Sequence, residues 1–214
     1  GLYVSLDNSS SLAITNSNLF SGCTTSSGSG GGFYANVKDP DSKLIIEDNS
    51  YFFECISSNG QGGAGYIEGS NFSSIEINKA KIENCNSIQG GGIYCDIKTG
   101  SQLQVTNSSL FKGCTSSQQG GGFYAIIDGA DSKLNISGFT LFDSCLATSQ
   151  TGQGGGSYLK VSNNASFELN KVTYKGCSAI EGGGIYGEID NANRFIITSS
   201  NQFISCNSKE RGGA

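Results

Sequence analysis

GGGFYANV, residues 30–37, returns as GGGIYCDI from Gly90, GGGFYAII from Gly120, GGGSYLKV from Gly154 and GGGIYGEI from Gly182. A looser copy, GGAGYIEG, starts at Gly62. The tyrosines of the phrase, Tyr3, Tyr34, Tyr66, Tyr94, Tyr124, Tyr158 and Tyr186, stand 28 to 34 residues apart. Seven cysteines keep the same step: Cys23, Cys55, Cys85, Cys114, Cys145, Cys177 and Cys206, at intervals of 29 to 32. Two residue types that share one period mark about seven copies of a unit near 30 residues, as in solenoids, propellers or arrays.

The inside of the unit separates these. After the glycines, Phe33, Ala35 and Val37 alternate with Tyr34 and Asn36, and Ile93, Cys95 and Ile97 repeat that apolar face. A polar turn follows, then a second alternating stretch, as in Leu44 with Ile46 and Leu134 with Ile136. A third, shorter stretch places Phe20, Phe52, Ile82, Phe111, Phe142, Tyr174 or Phe203 three residues before the cysteine. Period-2 alternation with no helical period predicts three short strands per unit. A propeller blade needs four antiparallel strands in about 40 residues. Three strands at matching positions predict an all-β parallel β-helix, one rung per unit, with rungs ~4.8 Å apart. The glycines are then the tight corner where neighbouring backbones approach. A phosphate-cradling loop would need a following helix, which the pattern lacks.

Composition narrows the function. The chain has 214 residues with 32 glycines, one proline, no His, Met or Trp, and a net charge of -5. An acidic chain lacks the basic face that nucleic acid requires, and no apolar run is long enough to span a membrane. Sequons at Asn8, Asn71, Asn107, Asn135 and Asn164 point to an extracellular or cell-surface glycoprotein carrying N-glycans.

The segments FKGCTSSQQGGGFY from Phe111 and YKGCSAIEGGGIY from Tyr174, with the final GGA, resemble the repeats of chlamydial polymorphic outer-membrane proteins (Pmp). Those carry Phe-x-x-Asn followed by Gly-Gly-Ala-Ile. The resemblance implies a right-handed, pectin-lyase-like β-helix on a cell surface, working in adhesion or surface architecture. Cys stands where that family has Asn, which points to a relative outside the bacterial family.

Stacking turns each repeated residue into a column. The cysteine column has Cα atoms near 4.8 Å apart, within reach of disulfides. Bridges in either phase, such as Cys23–Cys55 or Cys55–Cys85, stand beside the alternative of reduced cysteines filling the core. Single cysteines recurring without CxxC pairs or histidine do not make a zinc site, and Cys95 reads as core. The seven tyrosines point outward as an aromatic stripe, either a surface for carbohydrate or a stack that stabilises the rungs. The segment between Cys and the next Tyr varies most, from 9 to 13 residues, and reads as a solvent-facing loop that could bind a partner.

A polysaccharide lyase or hydrolase is the remaining use of such a fold. It would have to draw on carboxylates such as Glu47, Glu76 and Glu168, expected at equivalent outer positions of the second strand. They look like surface scatter, and no enzyme activity, cofactor or metal is expected. The chain opens on GLYVSL and closes on GGA, within the phrase at both ends. Residues 1–214 are therefore expected to be one uncapped segment of a longer solenoid, or a subunit that homopolymerises end to end or laterally. The expected role is a fibre or cell-surface scaffold, with adhesion or carbohydrate binding as the alternative.

Overall fold

The computed structural model describes residues 1–198 and 200–213. The chain winds through seven rungs as a parallel β-solenoid, whose strands line up into four sheets of seven strands each. In the fourth rung the strands are Ile93–Lys98, Gln102–Thr106, Leu110–Lys112 and Thr115–Gln119, contributing to the first, second, third and fourth sheets in turn. Each strand pairs in parallel with its counterparts in the neighbouring rungs, so like residues meet: Tyr94 with Tyr124, Leu103 with Leu134 and Phe111 with Phe142.

The three expected strands are present, and a fourth corrects the sequence reading. The segment after each cysteine, expected to be a loop, pairs into its own sheet, as Thr115 does with Leu146. Its strands are short and mostly polar. They run from two residues at Leu146–Ala147 to five at Thr115–Gln119, and no apolar alternation announces them.

Inward residues of the first three sheets, with the cysteines, make one continuous core. Phenylalanines of the third sheet stack at ring-centroid distances of 4.7 Å, as between Phe111 and Phe142. Tyr174 continues that stack at 4.7 Å, and Ile82 interrupts it between Phe52 and Phe111. Where one column loses volume its neighbour fills the space. Gly65 stands where the adjacent rungs carry Phe33 and Ile93, and a β-carbon there would lie 2.1 Å from the Phe33 ring.

The glycine corner closes the rung. Gly120 has φ +65°, in the left-handed region that side chains avoid. A β-carbon on Gly121 would lie 2.3 Å from the Gly155 carbonyl oxygen and 2.5 Å from the Leu146 nitrogen. Two rungs therefore meet here backbone to backbone, and a side chain would force them apart. The third glycine position is more permissive, since Ala64 occupies it in the third rung.

Candidate functional site

The tyrosine column runs along the outside of the first sheet. Successive rings from Tyr3 to Tyr186 stack nearly parallel, with centroids 4.7 Å apart at Tyr94–Tyr124 and Tyr124–Tyr158 and 5.4 Å at Tyr158–Tyr186. The rung spacing of parallel strands, ~4.8 Å, is also a stacking distance, so each ring covers its neighbour. Tyr94, Tyr124 and Tyr158 are only 7%, 8% and 4% exposed, while Tyr3 at the first rung is 70% exposed.

Of the two uses expected for the tyrosine stripe, the geometry is that of the rung-stabilising stack: between the end rungs the ring faces meet one another. The Tyr66 hydroxyl donates to Glu68 Oε1 at 3.1 Å. Burial, then the Glu68 carboxylate, pushes the Tyr34 phenol up to about 12 and the Tyr66 phenol higher still.

A second column escaped the sequence reading. Gln61, Gln89, Gln119 and Gln153 each stand immediately before a glycine corner, and their side chains form an amide ladder in two runs, Ser29 to Gln119 and Gln153 to Glu181, with only a backbone bridge between Gln119 and Gln153. Ser29 Oγ donates to Gln61 Oε1 at 3.1 Å, and Gln61 Nε2 to Gln89 Oε1 at 3.4 Å. Gln89 Nε2 donates to Gln119 Oε1 at 2.8 Å, and Gln153 Nε2 to Glu181 Oε2 at 3.0 Å. Arg211 Nε lies 3.5 Å from Glu181 Oε1. The signal was a polar residue at one fixed offset from the glycines.

All eight cysteines are free thiols. From Cys55 to Cys177 the column thiols donate to carbonyl oxygens of the preceding rung, as Cys55 to Phe20 at 3.4 Å, Cys114 to Ile82 at 3.5 Å and Cys177 to Phe142 at 3.4 Å, whereas Cys23 and Cys206 bond Ser21 and Ile204 of their own rungs. Here cysteine acts as a small apolar side chain that also bonds backbone acceptors of the third sheet. Neighbouring thiols Cys114 and Cys177, and then burial, hold the Cys145 thiol well above its ordinary range. Burial does the same to Cys95, in the core of the first sheet. Cys23, half-buried in the first rung, is the most accessible of the column.

The sequons gather around one face. Asn8, Asn71 and Asn164 sit in exposed turns between the first and second sheets, and Asn107 in an exposed turn between the second and third. All four have left-handed backbone, with φ between 50° and 64°. Asn135 lies within the second-sheet strand Lys133–Ser137, with its Oδ1 buried.

Of the three carboxylates expected at equivalent outer positions of the second strand, only Glu76 and Glu168 share a column. Glu76 lines up with Ile45, so Glu47 is out of that column. Glu168 shares it, but Gln104 and Asn135 intervene. Three rungs put Glu76 and Glu168 about 14 Å apart at ~4.8 Å per rung, beyond the ~5–9.5 Å of paired glycosidase carboxylates. Glu76 is instead 3.3 Å from Lys43. Among the described residues no group of three or more His, Cys, Asp or Glu side chains is placed to hold a metal.

Recesses on the surface include two beside the features above. One of about 500 Å³ lies on the third sheet among Ser17, Leu19, Asn49, Tyr51, Lys81 and Glu83, with the Tyr51 hydroxyl 3.2 Å from Glu83 Oε2. Another of about 220 Å³ lies beside the longest corner insertion, lined by Gln150, Thr151, Gln153, Ile180, Glu181 and Glu210. No protein-family model, curated protein or solved structure matches the chain.

Proposed function

We propose that this chain is a structural rod, an extracellular, N-glycosylated β-solenoid that builds a fibre or a cell-surface scaffold. The observation that carries the reading is the unbroken tyrosine stack. Repeating one aromatic residue in all seven rungs spends the outward face of a sheet on holding the rungs together, at about 0.5–1.5 kcal/mol per stacked pair. The phenylalanine stacks, amide ladder and thiol column run along the same axis. The Pmp-like repeat agrees with a surface role. In this reading copies of the rod associate with one another, end to end or laterally.

Electron microscopy of native material, with glycopeptide mapping, tests the proposal. Rods of uniform width carrying N-glycans are expected. Discrete, unglycosylated particles would overturn it.

The recess around Tyr51 favours a second reading, adhesion to carbohydrate. Tyr51, Asn49 and Lys81 line the recess together, and an aromatic ring with a carboxamide and an ammonium can pack against a sugar ring and bond its hydroxyls. Binding to a glycan array that is lost in Tyr51→Ala, while Tyr3→Ala binds normally, would support it. Loss in Tyr3→Ala alone would return the contact to the exposed end of the tyrosine stack.

A further inference from the structure

The second sheet and its two corners carry all five sequons, and the same two corners hold an anomaly. Phe72 and Phe139 adopt left-handed backbone, with φ 63° and 67°, and are 59% and 70% exposed. A bulky residue with positive φ is a genuine outlier, and strain of this kind persists where something else compensates or uses it. Ser9 and Ser108, in the corresponding turns of other rungs, hold the same conformation with φ 62° and 64°. The corners therefore do not need an aromatic ring.

What the two phenylalanines share is an adjacent sequon. Phe72 directly follows Asn71, and its ring lies over Gly100 of the next rung, where a β-carbon would come within 2.3 Å of Phe72 Cε1. Phe139 sits between two rungs. On one side Lys171 Nζ stands over its ring, 5.9 Å from the centroid. On the other, the Ser108 amide bonds the Gly138 carbonyl at 2.7 Å, and Asn107 Oδ1 would lie 3.4 Å from a β-carbon on Gly138. The side chain of Asn107 thus hangs beside the residue that precedes Phe139.

We infer that Phe72 and Phe139 are platforms for the first N-acetylglucosamine of glycans on Asn71 and Asn107, making the second sheet the glycan-bearing flank of the rod. This rests on the glycoprotein reading above. An aromatic face packs against the C–H face of a hexosamine, which covers the exposed ring and orders the sugar root along the sheet. The first, third and fourth sheets, without sequons, stay bare.

The test uses the full chain secreted from a eukaryotic host, with occupancy mapped by peptide-N-glycosidase digestion in ¹⁸O water. Phe72→Ser and Phe139→Ser keep both sequons and install the residue that other rungs already use. In the glycosylated protein each is expected to lower Tm by ~2–4 °C, the scale of one lost contact in a chain of this size. In the enzymatically deglycosylated protein each is expected to leave Tm unchanged or raise it. Equal shifts in the two forms, with Asn71 and Asn107 occupied, would overturn the platform and leave the glycoprotein reading standing. Absence of glycan at all five sequons would overturn both.

Discussion

Ser157 Oγ and Tyr174 Oη lie 3.0 Å apart inside the core, where both side chains are fully buried. Tyr174 occupies a column otherwise held by Phe and Ile, and Ser157 stands where its neighbours are Phe123 and Ile185. One rung has exchanged an apolar pair for a hydrogen-bonded polar pair. Tyr174→Phe alone strands the buried serine hydroxyl and should destabilise the rod by about 1–3 kcal/mol. Adding Ser157→Ala should recover much of that loss. Urea denaturation of the two single mutants and the double mutant measures the coupling, and strict additivity would contradict it.

The corner glycines are unequal. Gly121→Ala drives a β-carbon to within 2.3 Å of the next rung's carbonyl oxygen, whereas at Gly122 the nearest atom would be 2.8 Å away. Ala64 already fills the position equivalent to Gly122. Gly121→Ala should cost at least the upper end of the ~1–3 kcal/mol typical of overpacking, and Gly122→Ala clearly less. Thermal melts of the two variants side by side give the order.

Alkali should loosen the tyrosine column. Burial, with Glu68 second, raises the Tyr34 phenol from 10.0 to about 12 in the folded chain. Below pH 10 both states are protonated and the contribution to stability is fully present. Between pH 10 and about 12 the unfolded state releases the proton first, so stability falls as pH rises through that window. Monitored at 295 nm, most tyrosinate should appear together with the loss of β-sheet ellipticity. Full ionisation of a still-folded rod would contradict the burial.

Thiol accessibility follows the rungs. Brief treatment of the native protein with N-ethylmaleimide should label Cys23 first, while the buried thiols of the inner rungs should react only after denaturation. Peptide mass mapping reads the sites. Failure of the inner cysteines to label even in denaturant would place them in disulfides.

Breaking the amide ladder should have a local price. Gln89→Ala removes a donor to Gln119 and an acceptor of Gln61. These half-buried bonds should contribute about 0.5–1.5 kcal/mol each, lost without change of fold. Hydrogen exchange at Gly62 and Gly90, whose amides bond the Gln89 and Gln119 carbonyls at 3.0 Å, should rise more than exchange in the second sheet.

The spacing of Tyr and Cys determined the period, and alternation around Phe33 and Leu44 determined strands and their inward faces. These are local properties of one unit, repeated until chance is excluded. The fourth sheet was hidden because segments such as TSSQQ, residues 115–119, carry no apolar alternation and become strands only when the adjacent rungs supply backbone partners.

Which way a tyrosine points was legible in one unit; whether its face meets water was not. That was decided by the ring in the next rung, because stacking distance and rung spacing coincide. The sequons and the phenylalanines beside them were likewise scattered along the chain, and only winding brought them to the edges of one sheet. Alternation acts within a few residues, while stacking joins residues about thirty apart. The first was present in the sequence by itself, and the second came into being with the tertiary structure.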